Sequence, residues 1–400
     1  MRPLDGLQVV ECASFVAGPT GGLTLAQLGA SVIRIDPLGG GPDHNRWPVA
    51  GAAWGGESHY WASLNKGKRS ITVDMRSEEG RELVLALATA PGDDRGVLVD
   101  NVVGRRWMAN DVLRERRDDL VHVRVQGYPD GRPAVDYTVN AEVGIPGITG
   151  STETGRPVNH VLPAWDLATG LSVSTAVLAG LHQRARTGRG VYAEIALADV
   201  ALAGVANLGW LSEAADRGGE RPRHGNHVYG SFGVDFGCSD GERVMVVALT
   251  PAQWTALTTV TGTEAVFAAL EQALGADLTD ETERYRLRDT LAAVLAPWFA
   301  ARDSATVEAE LKAARVLWGR YQGMADVVAE YRAGHYPVLA DLRLPGGARG
   351  ITARTPIRWD GDHGEPGAAP VLGADTDAVL ADVLGLGESE IGALHDRGVL

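Results

Sequence analysis

The chain has 400 residues, 45% of them hydrophobic, which is enough for two domains or for one elaborated α/β domain with a sizeable core. Its formal net charge of −14 argues against general affinity for nucleic acid or for an anionic membrane surface, and its two cysteines, Cys12 and Cys238, are too few for a disulfide framework or a cysteine-rich metal site. No charge-free stretch reaches the roughly 18 apolar residues that span a bilayer, and no apolar secretion signal is visible, so we expect a cytoplasmic protein.

The predicted elements alternate between strands and helices along the chain. Short apolar runs predict strands at residues 7–12, 31–35, 70–74, 96–99, 120–125, 192–197 and 243–249. Helices are predicted at residues 23–29, 77–88, 166–182 and 199–215, and again after Thr250 and Pro251, which suit the N-cap and the first helical position. This alternation predicts an α/β fold with a doubly wound parallel sheet.

A change of composition marks the predicted domain boundary. The polar segment 216–223 separates a large α/β domain, residues 1–215, from a small α+β domain predicted at residues 225–330. The last segment, residues 331–400, contains helical patterns and is expected to return to the large domain.

Several common catalytic motifs are absent from the sequence. The glycine-rich segment 17–22 lies between the first strand and the first helix, but it matches neither the dinucleotide-binding nor the nucleoside-triphosphate phosphate loop. The chain contains no H-E-x-x-H and no G-x-S-x-G pattern, so metal-dependent and serine-dependent hydrolysis lose support. We therefore predict no metal site.

Two basic clusters stand out in this acidic chain. One contains Lys66 and Lys68, and the other is the pair Arg105 and Arg106 after a predicted strand. Each cluster is either a solvated turn or a contact for phosphate groups, which lysine and arginine bind strongly. The second lies where the carboxyl ends of parallel strands face the ligand crevice.

Asp166 precedes the long apolar helix and has two possible roles. An aspartate at a helix start is a common N-cap, whose side chain accepts a hydrogen bond from a backbone N–H. A carboxylate held beside the positive end of the helix dipole is also fixed in direction and can attack an acyl carbon. The spacing alone does not separate these roles.

The ordered set of segments 4–7, 17–19, 28–34, 64–70, 186–190 and 370–376 resembles the class III coenzyme A transferases, the CaiB/BaiF type, over almost the whole chain. The resemblance implies a Rossmann-like large domain built from both chain ends, a small domain between them and an interlocked homodimer. It further implies that acyl-CoA and carboxylic acids are the substrates and that coenzyme A binds as a thioester substrate, with no permanently bound cofactor. Nucleic acid and membranes are not expected partners.

On this resemblance Asp166 is the nucleophile that forms an aspartyl anhydride and then an aspartyl-CoA thioester. The positions that match the family's CoA contacts are Ser14, Phe15, Ala17, Leu64, Lys66, Lys68, Asn101 and Val102. Two arginines common in the family are replaced by Pro37 and Ala109, and Arg34, Arg105 or Arg106 are the candidate substitutes.

The resemblance also discriminates between branches of the family. The racemase branch needs a histidine in a Gly-His-Asp motif, but here the motif reads Ala134-Val135-Asp136, so one of the two bases is missing. The runs 14–29, 159–170 and 223–230 resemble a branch that moves CoA between the two carboxyl groups of one mesaconate. His160, Tyr229 and Arg223 are candidates for holding the free carboxylate. The alternatives are an intermolecular CoA-transferase, a racemase and a non-catalytic CoA-binding protein.

Overall fold

The computed structural model describes residues 2–51, 56–151, 153 and 155–400. Its strands are β1 (Gln8–Cys12), β2 (Ser31–Asp36), β3 (Arg69–Thr72), β4 (Val97–Asp100), β5 (Val121–Gln126), β6 (Val191–Ala196), β7 (Phe232–Gly237), β8 (Arg243–Ala248), β9 (Leu317–Arg320), β10 (Leu339–Arg343) and β11 (Arg349–Ala353). Its helices are α1 (Ala17–Gln27), α2 (His59–Asn65), α3 (Glu78–Ala88), α4 (Asn110–Arg116), α5 (Asp136–Glu142), α6 (Ile145–Ile148), α7 (Ala164–Thr187), α8 (Leu197–Asn207), α9 (Trp210–Arg217), α10 (Pro251–Thr261), α11 (Glu264–Leu274), α12 (Glu281–Arg286), α13 (Arg288–Ala300), α14 (Ser304–Ala313), α15 (Met324–Arg332), α16 (Thr376–Leu384) and α17 (Glu388–Asp396).

A six-stranded sheet organises the first compact unit, and the predicted parallel sheet is confirmed. Its strand order is β3-β2-β1-β4-β5-β6, and every neighbouring pair is parallel. The order reverses between β1 and β4, and at such a switch point an open α/β sheet binds its ligand beyond the carboxyl ends of the strands.

Helices cover both faces of this sheet. Successive residues of β1 point to opposite faces, so Val9 packs in one core with α1 and α7 while Val10 packs in the other with α3, α16 and α17. The C-terminal helices therefore share a core with the first strands, although hundreds of residues separate them along the chain. Cys12 is a buried free thiol, and burial raises its pKa well above the ordinary value.

The first unit comprises residues 1–143, 160–212 and 334–400, and the second comprises residues 144–159 and 213–333. The second unit contains an antiparallel sheet of order β7-β8-β9 covered by helices. Segment 144–159 lies in the second unit, whereas the sequence reading placed it in the large domain. Two hydrogen bonds connect the main chain of this segment to the rest of the second unit. The Gly225 N–H donates to the Gly150 carbonyl at 3.1 Å, and the Arg223 Nε–H donates to the Gly147 carbonyl at 2.7 Å.

Two helices differ from their predicted extent. α1 begins at Ala17, six residues earlier than predicted, so the glycine-rich segment is its first turn and a half. The helix predicted at residues 199–215 is interrupted at Gly209, whose φ of 76° is not helical.

α7 is the one helix in the described ranges that is long and apolar enough to cross a membrane by length and composition. This is weak evidence for a membrane span, because Val173 and Val177 of α7 are buried in a core of the parallel sheet. Its remaining surface carries exposed leucines, including Leu171 and Leu178.

Candidate active site

Asp166 lies in the first turn of α7, and of its two possible roles the structure excludes that of the N-cap. The N-cap position is Pro163, whose side chain makes no capping hydrogen bond, and Asp166 is the third helical residue. Its half-buried carboxylate is consequently free of the capping contact that the sequence suggested.

Asp136 supplies the cap from the start of another helix, α5. Its Oδ2 accepts hydrogen bonds from the backbone N–H groups of Trp165 at 2.7 Å and Asp166 at 3.1 Å. Its Oδ1 lies 2.7 Å from Nε2 of His160, and the carboxylate is almost completely buried. The indole N–H of Trp165 also donates to Asn140 of α5 at 3.0 Å. Asp136 therefore fixes the first turn of α7, and with it the direction of the Asp166 side chain.

The electrostatic surroundings of Asp166 disfavour its charged form. Burial raises its pKa from the ordinary 3.8 to about 6, the negative charge of Asp136 adds to this rise, and the guanidinium of Arg46 opposes it. At neutral pH the group is thus mostly an incompletely solvated carboxylate, a state that favours nucleophilic attack.

The loops after β1 and β4 meet beside α1. The backbone N–H of Ser14 donates to Oδ1 of Asn101 at 3.3 Å, and Nδ2 of Asn101 donates to the Ser14 carbonyl at 3.2 Å. The structure thus brings these two predicted site residues together at the switch point of the sheet.

α1 and α7 pack closely, because a Cβ on Gly170 would lie 2.5 Å from Cβ of Thr20. Ala17, a predicted contact at the start of α1, is buried.

Phe15 has a strained backbone next to this junction. Its φ of 68° is in the left-handed region that a bulky residue rarely adopts, and its N–H donates to Oδ2 of Asp43 at 2.9 Å. The guanidinium of Arg46 stacks over the rings of Phe15 and Tyr60, at 5.6 and 5.5 Å from their centroids. Burial raises the pKa of Tyr60 to about 12, so this phenol is neutral.

The basic cluster before β3 is neither a solvated turn nor an available phosphate contact. Lys68 is buried, and its Nζ lies 2.9 Å from both carboxylate oxygens of Glu11 and from the Pro19 carbonyl. The Nζ of Lys66 is also nearly buried and donates to the Ser63 carbonyl at 2.8 Å. The contacts predicted for Lys66 and Lys68 with a CoA phosphate are therefore corrected to structural roles, because both ammonium groups are committed inside the unit.

Arg34 belongs to the same buried network and does not replace a missing arginine. Its guanidinium donates to both carboxylate oxygens of Asp36 at 2.9 Å and lies 3.0 Å from Asp43. Leu64, on the last turn of α2, is partly exposed.

A cleft of about 920 Å³ lies in the first unit. It is lined by Pro37, Leu38, Asp74, Met75, Arg76, Arg81, Val102, Gly104, Arg105, Arg106, Trp107 and Val112. Val102, Arg105 and Arg106 were sequence candidates, whereas Arg76 and Arg81 were missed because only the fold brings them to the same cleft. Arg106 pairs with Asp111 at 2.6 Å and Arg76 pairs with Asp74 at 2.8 Å. Four arginines around one cleft are a donor set that suits phosphate groups.

Tyr229 and Arg223 are engaged within the second unit. Arg223 donates to the Gly147 carbonyl, and the hydroxyl of Tyr229 donates to the carboxylate of Glu213 while Arg221 stacks on its ring at 3.6 Å. Of the three residues predicted to hold a free carboxylate, only His160 is in the unit that contains Asp166. In the part of the chain that the structure describes, no cluster of three His, Cys, Asp or Glu side chains could hold a metal ion.

Comparison with known proteins identifies the family. Residues 4–376 match the model of CoA-transferase family III. The chain belongs to this family. It is 44% identical to 2-methylfumaryl-CoA isomerase from Chloroflexus aurantiacus, an alignment that covers 99% of this chain and 97% of that protein. It is 30% identical to succinyl-CoA:mesaconate CoA-transferase from Haloarcula hispanica, over 97% and 98% of the two chains.

The fold is also shared with a solved family member. The crystal structure of a CAIB/BAIF family protein from Brucella suis superposes with a TM-score of 0.77 at 29% identity, covering 96% of this chain and 99% of that one. The family predicted from the ordered motifs is thus confirmed, and this chain is an enzyme of the CoA-transferase class.

Proposed function

We propose that this family III enzyme transfers CoA within one molecule, between the C1 and C4 carboxyl groups of mesaconate. The full-length identity of 44% to a 2-methylfumaryl-CoA isomerase carries this proposal. The half-buried Asp166 carboxylate, fixed at the start of α7, supplies a nucleophile suited to the chemistry.

The reaction would proceed through two covalent intermediates on Asp166. A carboxylate oxygen of Asp166 attacks the C1 thioester carbonyl, and the C–S bond breaks. The products are a mixed anhydride between Asp166 and mesaconate and the CoA thiolate. The thiolate attacks the Asp166 carbonyl of the anhydride, which gives an aspartyl-CoA thioester and frees both carboxylates of mesaconate. The C4 carboxylate then attacks that thioester, and the released thiolate attacks the C4 carbonyl. This gives the C4 thioester and restores the Asp166 carboxylate with no net change in protons.

The residues around Asp166 would serve this sequence in distinct ways. Asp136 holds the first turn of α7 through two backbone N–H groups, so the attacking oxygen keeps one direction. Burial removes water from the carboxylate and raises its reactivity, at the cost of a higher pKa. His160 would position Asp136 through the 2.7 Å contact instead of holding the substrate.

We assign CoA, as a thioester substrate, to the loops after β1 and β4 and to the arginine-lined cleft. Of its predicted contacts, Ser14 and Phe15 follow β1, Asn101 and Val102 follow β4, and Arg105 lines the cleft, while Ala17 starts α1 and Leu64 is at the end of α2. The exposed Arg105 and the neighbouring arginines of the cleft would pair with phosphates and so compensate for Pro37 and Ala109.

A racemase needs two bases, and this chain lacks one at the position where the racemase branch has its histidine. Val135 occupies that position, and its side chain cannot accept a proton. An intermolecular transfer is the second candidate, because a relative at 30% identity is a succinyl-CoA:mesaconate CoA-transferase.

Isotope labelling separates the two candidates. Mesaconyl-C1-CoA would be incubated with the enzyme and a large excess of labelled free mesaconate. Intramolecular transfer predicts conversion to the C4 thioester without label in the thioester pool. Label that appears in the thioester at the rate of isomerisation would contradict the intramolecular proposal.

We also propose that a second copy of the chain covers exposed apolar surface on α7 and α8. Leu171 is 57% exposed, and Leu178, Leu202 and Leu208 are exposed on the same two helices or just beyond them. Exposed leucines on two helices that pack against each other suit an oligomer interface. The interlocked homodimer that the resemblance implies would cover this surface.

A further inference from the structure

Arg46 lies in the segment between β2 and α2, over the ring of Phe15, two residues before the start of α1. The start of α1 packs against α7 one turn after Asp166, because a Cβ on Gly170 would lie 2.9 Å from the Ala17 carbonyl oxygen. The positive charge of Arg46 lowers the pKa of Asp166, in opposition to burial and to Asp136. Its guanidinium stacks against the rings of Phe15 and Tyr60. Within residues 2–51, 56–151, 153 and 155–400, no hydrogen bond or ion pair engages the guanidinium, and the side chain is exposed.

The backbone that carries Arg46 is anchored on both sides. Its N–H donates to the Asp43 carbonyl at 3.1 Å, and its carbonyl accepts from the hydroxyl of Ser58, the residue that caps α2. The carboxylate of Asp43 in turn binds the Phe15 N–H and the buried guanidinium of Arg34. These hydrogen bonds therefore hold the backbone of Arg46 in place, while its guanidinium remains available to bind a ligand.

The arrangement suits a planar anion. Among the described residues the guanidinium N–H groups of Arg46 make no hydrogen bond, so they are available for a two-pronged contact with a carboxylate. The carboxylates of Asp136 and Asp166 both lie at the first turn of α7, so a substrate carboxylate brought there would be repelled without a counter-charge. A monothioester of a dicarboxylic acid brings such a carboxylate within a few bonds of the attacked carbonyl.

We propose that the Arg46 guanidinium, which lies over Phe15 and Tyr60 next to the junction of α1 and α7, binds the free carboxylate of the acyl-CoA substrate and so selects dicarboxylic acyl groups. This inference rests on the transferase function proposed above. Arg46 holds the C4 carboxylate while C1 carries CoA. After the transfer it holds the C1 carboxylate. It takes the role that the sequence reading gave to His160, Tyr229 and Arg223.

The test measures the half-reaction, which needs no acceptor. Exchange of labelled free CoA into the thioester reports the anhydride step for mesaconyl-C1-CoA and for its C4 methyl ester, which has nearly the same shape but lacks the charge. Arg46→Gln should lower kcat/KM for the dicarboxylate by roughly 10- to 100-fold, the range for lost charge-assisted hydrogen bonds, and change the ester value by less than about threefold. Arg46→Lys, which keeps the charge but not the fork, should lie between the wild type and Arg46→Gln for the dicarboxylate.

Arg132→Gln is the matched control, because Arg132 is also exposed and stacks on an aromatic ring, that of Tyr128 at 4.2 Å. It should leave the ratio of the two substrates unchanged. Equal losses for both substrates in Arg46→Gln and Arg46→Lys, or no loss, would overturn the role of Arg46 while leaving the transferase function intact. A wild type that catalyses neither CoA exchange nor isomerisation of mesaconyl-C1-CoA would overturn the transferase function itself, and the role of Arg46 with it.

Discussion

Asp136→Asn removes the charge at the start of α7 while keeping the size of the side chain. In the native protein, burial and then the Asp136 charge raise the pKa of Asp166 to about 6, against the opposing effect of Arg46. Tyr60 is also nearby and stays neutral, since its pKa is about 12. An asparagine leaves the burial unchanged and removes the like charge, so the pKa of Asp166 should fall below 6 but stay above 3.8.

The consequence for catalysis has a definite sign. Only the ionised carboxylate attacks, so the activity of the native enzyme should be lost as the pH falls through about 6. The acid limb of kcat/KM should move to lower pH in Asp136→Asn. At pH 8 the rate should fall instead, because two backbone N–H groups lose a charged acceptor worth about 1.5–3 kcal/mol.

The assay is the rate of thioester isomerisation between pH 4.5 and 8.5, with thermal unfolding measured at each pH. Glu142→Gln is the matched control, because Glu142 lies on the same helix but is exposed and accepts from the Tyr128 hydroxyl. Its acid limb should stay in place. An acid limb in Asp136→Asn that stays in place or moves to higher pH would refute the electrostatic coupling of Asp136 to Asp166.

Three further outcomes are expected. Lys68→Met should lower the free energy of unfolding by about 3–5 kcal/mol in urea titrations, because it leaves Glu11 buried without its ammonium partner; an unchanged midpoint would contradict the buried pairing. Arg105→Gln should raise KM for acyl-CoA several-fold with little change in kcat, and this effect should vanish with a pantetheine thioester that lacks the nucleotide. Leu171→Glu should convert a dimer to monomers in sedimentation velocity runs, whereas a wild-type monomer would contradict the proposed interface.

The parts of the fold that depend on neighbouring residues could be predicted. The cap at Ser77 accepts from the Gly80 N–H at 3.0 Å, and Thr250 forms a capping box with Gln253, as their short-range patterns indicate. The strands of the parallel sheet are recognisable because their apolar runs are continuous, as expected for strands covered on both faces.

The contacts that define the site join residues that are far apart in the sequence, so local sequence patterns do not reveal them. The cap of α7 comes from Asp136, 30 positions before Asp166, so the spacing around Asp166 alone cannot separate a cap from a nucleophile. Lys68 resembled a phosphate contact because its partner Glu11 lies 57 positions away and no spacing reveals the pair. The sequence contains one signal for the role of Asp136. The Gly-His-Asp motif of the racemase branch keeps its aspartate at this position, although Val135 replaces the histidine.

The assignment of Asp166 as the nucleophile is tested most directly by trapping its acyl intermediates. The enzyme would be incubated with mesaconyl-CoA and neutral hydroxylamine, digested, and analysed by mass spectrometry. An anhydride or thioester on Asp166 predicts a hydroxamate on the peptide that contains it, formed only with acyl-CoA and in step with the loss of activity. Inactivation with Asp166 unmodified, or a hydroxamate at Asp136 in its place, would contradict the mechanism.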